Sequence, residues 1–125
     1  MIVASDREDR RDLFDTLDAQ GFEAIYSAKD FEQAHSFLEQ NPQLDLILVE
    51  FHGEASDALA FCAGLQQRTS TQLVPIIGIL GRKRGGLHWS KADKPAGVID
   101  WIGSPVNAPE APARIKSALA APVPA

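Results

Sequence analysis

Leu44 to Val49, Leu-Asp-Leu-Ile-Leu-Val, is the segment that most restricts how this chain can fold. It is nearly all apolar and is bounded by turn residues, with Asn41-Pro42 before it and the loop of Glu50 to Ser56 after it. A strand with water on one side alternates apolar and polar residues. This one does not, so it suits a central parallel strand covered on both faces. Val74 to Leu80 has the same character.

The remaining segments supply the crossovers that a parallel sheet requires. Met1 to Ala4 is a short apolar run. Ser5-Asp6-Arg7-Glu8 then has the Ser-x-x-Glu form of a capping box. It predicts a helix to about Gln20, with Leu13, Phe14 and Leu17 on its inner face and Gly21 as its stop. Phe22 to Ser27 reads as a second strand. Asp30 caps a second helix, in which Phe31, Ala34, Phe37 and Leu38 keep helical spacing and after which Asn41-Pro42 ends the pattern. Asp57 to Gln67 is expected to be a third helix burying Leu59, Phe61, Cys62 and Leu65. Val98 to Ile102 is a fifth strand. A last helix spans about Pro109 to Ala120, with both prolines at or before its first turn and Ile115 and Leu119 facing the core. Gly85, Gly86 and Pro95 work against a full helix between the fourth and fifth strands, so a short helix near Leu87 to Ala92 or an irregular loop is expected there. The fold class is α/β, a flavodoxin-like, doubly wound, five-stranded parallel sheet. One domain should occupy residues 1–120, and residues 121–125, Ala-Pro-Val-Pro-Ala, have the composition of a linker to a downstream domain.

Composition narrows the function. With 125 residues and 45% hydrophobic content the chain can bury a core and is not a disordered segment. Its net charge is -5, and Arg82-Lys83-Arg84 is its one dense basic run, too short to track a nucleic-acid backbone. No apolar run is long enough to cross a membrane and no signal-peptide pattern opens the chain, which makes the cytoplasm the expected compartment. The single cysteine, Cys62, is expected to be a packed thiol. His35, His52 and His88 show no metal-ligand spacing, and neither a metal nor another cofactor is expected.

From Asp45 onward the residues follow a set of motifs. Asp45-Leu46-Ile47-Leu48-Val49-Glu50 is followed without a gap by Asp57-Ala58-Leu59, Phe61, Cys62 and Leu65, then by Val74-Pro75-Ile76-Ile77-Gly78-Ile79-Leu80, then by Ile99-Asp100-Trp101-Ile102-Gly103-Ser104-Pro105, and finally by Pro109-Glu110 and Ala113-Arg114-Ile115. As a set these resemble the receiver domain of bacterial response regulators, over nearly the whole chain.

The departures from that family's pattern concern its chemistry. The resemblance implies an aspartate nucleophile at the end of the third strand, an acidic pair after the first strand holding magnesium, a Ser or Thr after the fourth strand and a Lys before the final Pro. Here those positions are Glu50, Leu80 and Ser104, while the acidic pair falls on Ala4-Ser5 or, with a one-residue shift, on Ser5-Asp6. The switch aromatic is kept as Trp101. A glutamate carries its carboxylate one methylene further out than an aspartate, and a misplacement of about 1 Å can cost about a hundredfold in rate. The expectation is a non-catalytic pseudo-receiver of a two-component-type signalling protein, with Ser5, Asp6, Glu50, Leu80 and Ser104 as a degenerate phosphorylation pocket and Glu50 an exposed strand-end residue. Its expected partners are proteins. One is a second copy, docked through the family's face of fourth helix, fifth strand and fifth helix, here Leu87 to Lys94, Trp101 and the exposed side of Pro109 to Ala120. The other is an output domain in the same chain. No direct contact with nucleic acid or membrane is expected. Two alternatives remain open. Glu50 is a built-in phosphate mimic, or Gly81 to Gly86 with Arg82, Lys83 and Arg84 binds a nucleotide or phosphate at a strand end.

Overall fold

The computed structural model describes residues 1–40, 42–51, 56–80, 97–103 and 110–120. Along the chain these form β1 (Ile2–Val3), α1 (Arg7–Ala19), β2 (Ser27–Ala28), α2 (Phe31–Leu38), β3 (Ile47–Phe51), α3 (Ser56–Gln67), β4 (Ile76–Leu80), β5 (Val98–Gly103) and α4 (Glu110–Ala120). The strands make one sheet in the order β2-β1-β3-β4-β5, and every neighbouring pair is parallel. This is the flavodoxin-like arrangement, in which the winding reverses between β1 and β3 and opens a crevice at their carboxyl ends.

The period-two alternation of a strand explains why β3 has no polar face until its end. Ile47, Val49 and Phe51 pack with Ala34, Leu38, Phe61, Cys62 and Leu65 on the side of α2 and α3. Leu46 and Leu48 pack the other way, with Leu13 and Leu17 of α1 and Ala111, Ile115 and Ala118 of α4. Fully burying such a side chain stabilises by about 1.5–3 kcal/mol, so the central strand anchors both layers. No helix among the described residues is long and apolar enough to cross a membrane.

Several boundaries and faces differ from those the sequence predicts. The N-cap of α1 is Asp6 and not Ser5: the Asp6 carboxylate accepts from the Asp9 N–H, and the Ser5 side chain is engaged elsewhere. Asp30 caps α2 as expected, and Gln33 returns its side-chain oxygen to the Lys29 N–H. Gly21, at φ 92°, lets the chain turn after α1, where the Phe22 N–H donates to the Leu17 carbonyl. The second strand is only Ser27–Ala28. Phe14 and Leu119 were placed on buried faces, yet each is 40% exposed. The reason for Leu119 is that α4 seats small residues, Ala111 and Ala118, together with Ile115 against the sheet. Leu59 is half-buried at the margin of the other layer. Pro112 stands in the first turn of α4, where no intrahelical donor is lost. The segment between β4 and β5, including Leu87 to Lys94, lies outside the described residues, as do Pro109 and residues 121–125.

Candidate functional site

Parallel pairing puts Val3 opposite Val49, which leaves Ala4 and Glu50 at the carboxyl ends of β1 and β3. Ser5 follows as the chain turns into α1. At this point the Ser5 N–H and Oγ both donate to Glu50 Oε1, at 3.1 and 2.6 Å. The hydroxyl contact has the length of a charge-assisted O–H···O bond. Glu50 is therefore not the exposed strand-end residue that its position in the sequence suggests: it is 8% exposed. A buried carboxylate needs donors, and β1 supplies two.

Asp6, the one acid at the acidic-pair positions, has a different task here, since it caps α1. Arg10, one turn into that helix, reaches back and donates Nη1 to the carbonyls of Ala4 and Ser5, at 2.8 and 3.1 Å. The end of β1 is thus held from both sides, through the Ser5 donors to Glu50 and through the β1 carbonyls to Arg10.

The neighbouring strand ends are built from apolar groups. Leu80, the last residue of β4, stands opposite Phe51 and Gly103. A leucine there has no donor to offer. Trp101, placed by the sequence on a signalling surface, is buried on the α3 side of the sheet. Its indole lies across Gly78 of β4, so closely that a Cβ at that position would fall 2.1 Å from the six-membered ring. Phe51 meets the same indole edge-on, with ring centroids 5.1 Å apart. Only a glycine at residue 78 leaves room for this ring. On the opposite face of β5, Asp100 accepts from Arg114 Nη1 of α4 at 2.7 Å and from the Trp101 N–H. Ser104 lies outside the described residues, and so do Arg82, Lys83 and Arg84 of the anion-binding alternative.

The structure brings Ser5 and Glu50 into direct contact and places Asp6 and Leu80 at adjoining strand ends. The sequence groups Ser5 with Glu50 in one pocket but does not show that the two bond. The signal was present in the strand order, because a serine just after β1 must lie at the same end of the sheet as the last residues of β3. No group of three or more His, Cys, Asp or Glu side chains suited to a metal ion occurs among the described residues.

No family model and no curated protein matches the chain. Solved structures do match it. A two-component system response regulator/GGDEF domain protein superposes with a TM-score of 0.75 at 26% identity, over 95% of this chain and 47% of its own. A second protein of that description gives a TM-score of 0.76 at 25% identity, over 95% of this chain and 48% of its own. A response regulator from Chloroflexus aurantiacus J-10-fl gives 0.73 at 21% identity, over 96% of both chains. The chain spans about half the length of the two GGDEF-containing structures and nearly all of the third. Strand order, layer arrangement and these superpositions agree on one conclusion: the chain has the receiver fold of response regulators.

Proposed function

We propose that this domain is a pseudo-receiver, a regulatory and dimerising module of a two-component-type signalling protein that works without phosphorylation of its strand-end carboxylate. The observation that carries the reading is the bond from Ser5 to Glu50. A nucleophilic carboxylate has to approach phosphorus with a metal and donors arranged around the incoming oxygens. Glu50 instead has one oxygen engaged by both donors of Ser5, Asp6 caps a helix, and Leu80 supplies no hydroxyl.

The test is incubation with acetyl phosphate or phosphoramidate and magnesium, followed by intact-mass spectrometry. No phosphoryl adduct is expected. A hydroxylamine-labile gain of one phosphoryl group at Glu50 overturns the reading.

Association is assigned to the surface of β5 and α4 together with the segment that precedes β5. The Asp100–Arg114 ion pair stiffens this surface. Ala118, a position suited to a charge probe had it been exposed, is buried in the core, so a charge there would test folding and not docking. Ser117 is exposed and lies three residues after Arg114, on the same side of α4. Ser117→Glu is expected to weaken a dimer in sedimentation experiments at matched concentration, because it buries an unpaired carboxylate at the contact. An unchanged equilibrium would remove this face as the dimer interface. Two of the similar structures are response regulator/GGDEF domain proteins, which supports an output domain joined to this one as the recipient of the signal.

A further inference from the structure

A second concave surface lies beside the Ser5–Glu50 contact, between the first two turns of α1 and the edge strand β2. It is an open groove of about 530 Å³ lined by Arg7, Glu8, Arg10, Arg11, Phe14 and Ser27. Its lining carries three arginines and one glutamate, on a chain whose net charge is -5.

Arg7 opens α1, in a first turn that also carries Glu8 and Asp9. The amino end of a helix favours acids, and cations there face the positive end of the macrodipole. Arg7 and Arg11 are also one turn apart, a spacing at which like charges repel. Arg10 has a structural task, since it donates to the carbonyls of Ala4 and Ser5. Arg7 and Arg11 have none of that kind: both are exposed, and no ion pair among the described residues engages either. Phe14, one turn further and on the same groove, is one of the few large apolar side chains left 40% exposed. Cations and an exposed aromatic ring around a groove of small-ligand size suit a molecule that carries both negative charge and a flat ring.

We propose that this groove binds a nucleotide-class ligand, with its phosphates on Arg7 and Arg11 and its base stacked on Phe14. Arg10 forms the inner wall and links the site to the end of β1, where Ser5 holds Glu50. The site differs from the Gly81 to Gly86 loop considered above, and nothing in it depends on the phosphorylation chemistry of Glu50.

The test is titration of the isotope-labelled domain with ADP and, separately, with pyrophosphate, followed by amide and arginine side-chain NMR. ADP should shift signals of Arg7, Arg11, Phe14 and Ser27 and saturate below about 1 mM, a range set by ordinary small-ligand affinities. Arg11→Glu should abolish binding of both probes. Phe14→Ala should weaken ADP by about tenfold, the scale of base–aromatic stacking, while leaving pyrophosphate unchanged. Both side chains are exposed, so the fold should survive, and circular dichroism checks it. Shifts centred on Gly81 to Gly86, insensitivity to Arg11→Glu, or no saturable shift with ADP would each overturn the proposal.

Discussion

The β1–β3 side and the β4–β5 side of the sheet are held in opposite ways. At the ends of β1 and β3 the contacts are polar and short: Ser5 donates twice to Glu50, and Arg10 donates to the β1 carbonyls. In β4 and β5 the described contacts are apolar: Leu80 ends its strand, and further back, on the α3 face, the Trp101 ring lies across Gly78 against Phe51. The two sides are held by different physics. The polar half relies on directional donors to a buried carboxylate. The apolar half relies on close packing, which tolerates a change of even one methyl group poorly. The Ser5–Glu50 contact ties the ends of β1 and β3, whereas the Trp101 packing lies further back, on the α3 face of β4 and β5.

The comparison can be broken most forcefully from the apolar side. Trp101→Ala should destabilise the domain by about 3–5 kcal/mol, the range for deleting a buried large aromatic. Gly78→Ala should follow at about 1–3 kcal/mol, since the new methyl overlaps the indole and must displace it. Urea denaturation gives both values, and Trp fluorescence in the Gly78 variant reports the displaced ring. A neutral Gly78→Ala would mean the indole is not held there, and the packing account of this half would fall.

The polar half should respond less. Ser5→Ala removes the shorter of the two donors to Glu50 and should destabilise by about 1–2 kcal/mol. Glu50→Gln keeps an oxygen that can accept from Ser5, so its effect should be smaller, about 1 kcal/mol. The ordering of these two variants in urea denaturation sharpens the comparison, because only a hydrogen-bonded clasp distinguishes them in that direction. If Glu50→Gln is the more damaging, the charge and not the clasp is what matters, and the phosphate-mimic reading regains its ground.

One effect is absent at neutral pH and appears only in alkali. Burial pushes the Cys62 thiol up from 9.0 to about 12. As pH rises past the ordinary value, the unfolded chain loses this proton while the folded one keeps it. Stability should therefore be intact below about pH 9 and fall between about 9 and 12. Cys62→Ala should flatten that limb of a pH–stability curve. The native thiol should also resist Ellman's reagent until the domain unfolds, and fast labelling at neutral pH would show that the α3 side of the core opens easily.

The sequence by itself determined the class of fold and the position of the elements, because those follow from local patterns. The unbroken apolar run before Glu50 specified a strand buried on both faces, Asp30 specified a helix start, and Gly21 specified a stop. It also showed which polar groups of a receiver-type pocket were missing, since Glu50 and Leu80 are plain in the one-dimensional record. Tertiary structure alone decided how these residues are used. Whether Glu50 is exposed depends on what stands across from it, and that is Ser5, 45 residues away and just after β1. Whether Trp101 meets solvent depends on Gly78, a residue of the neighbouring strand that leaves a gap the size of an indole. The surface role of Phe14 and Leu119 was likewise settled by small residues and neighbouring helices and not by helical spacing. Periodicity names the face of an element, whereas burial is set by the partner that covers it, and that partner is brought there only when the strands pair.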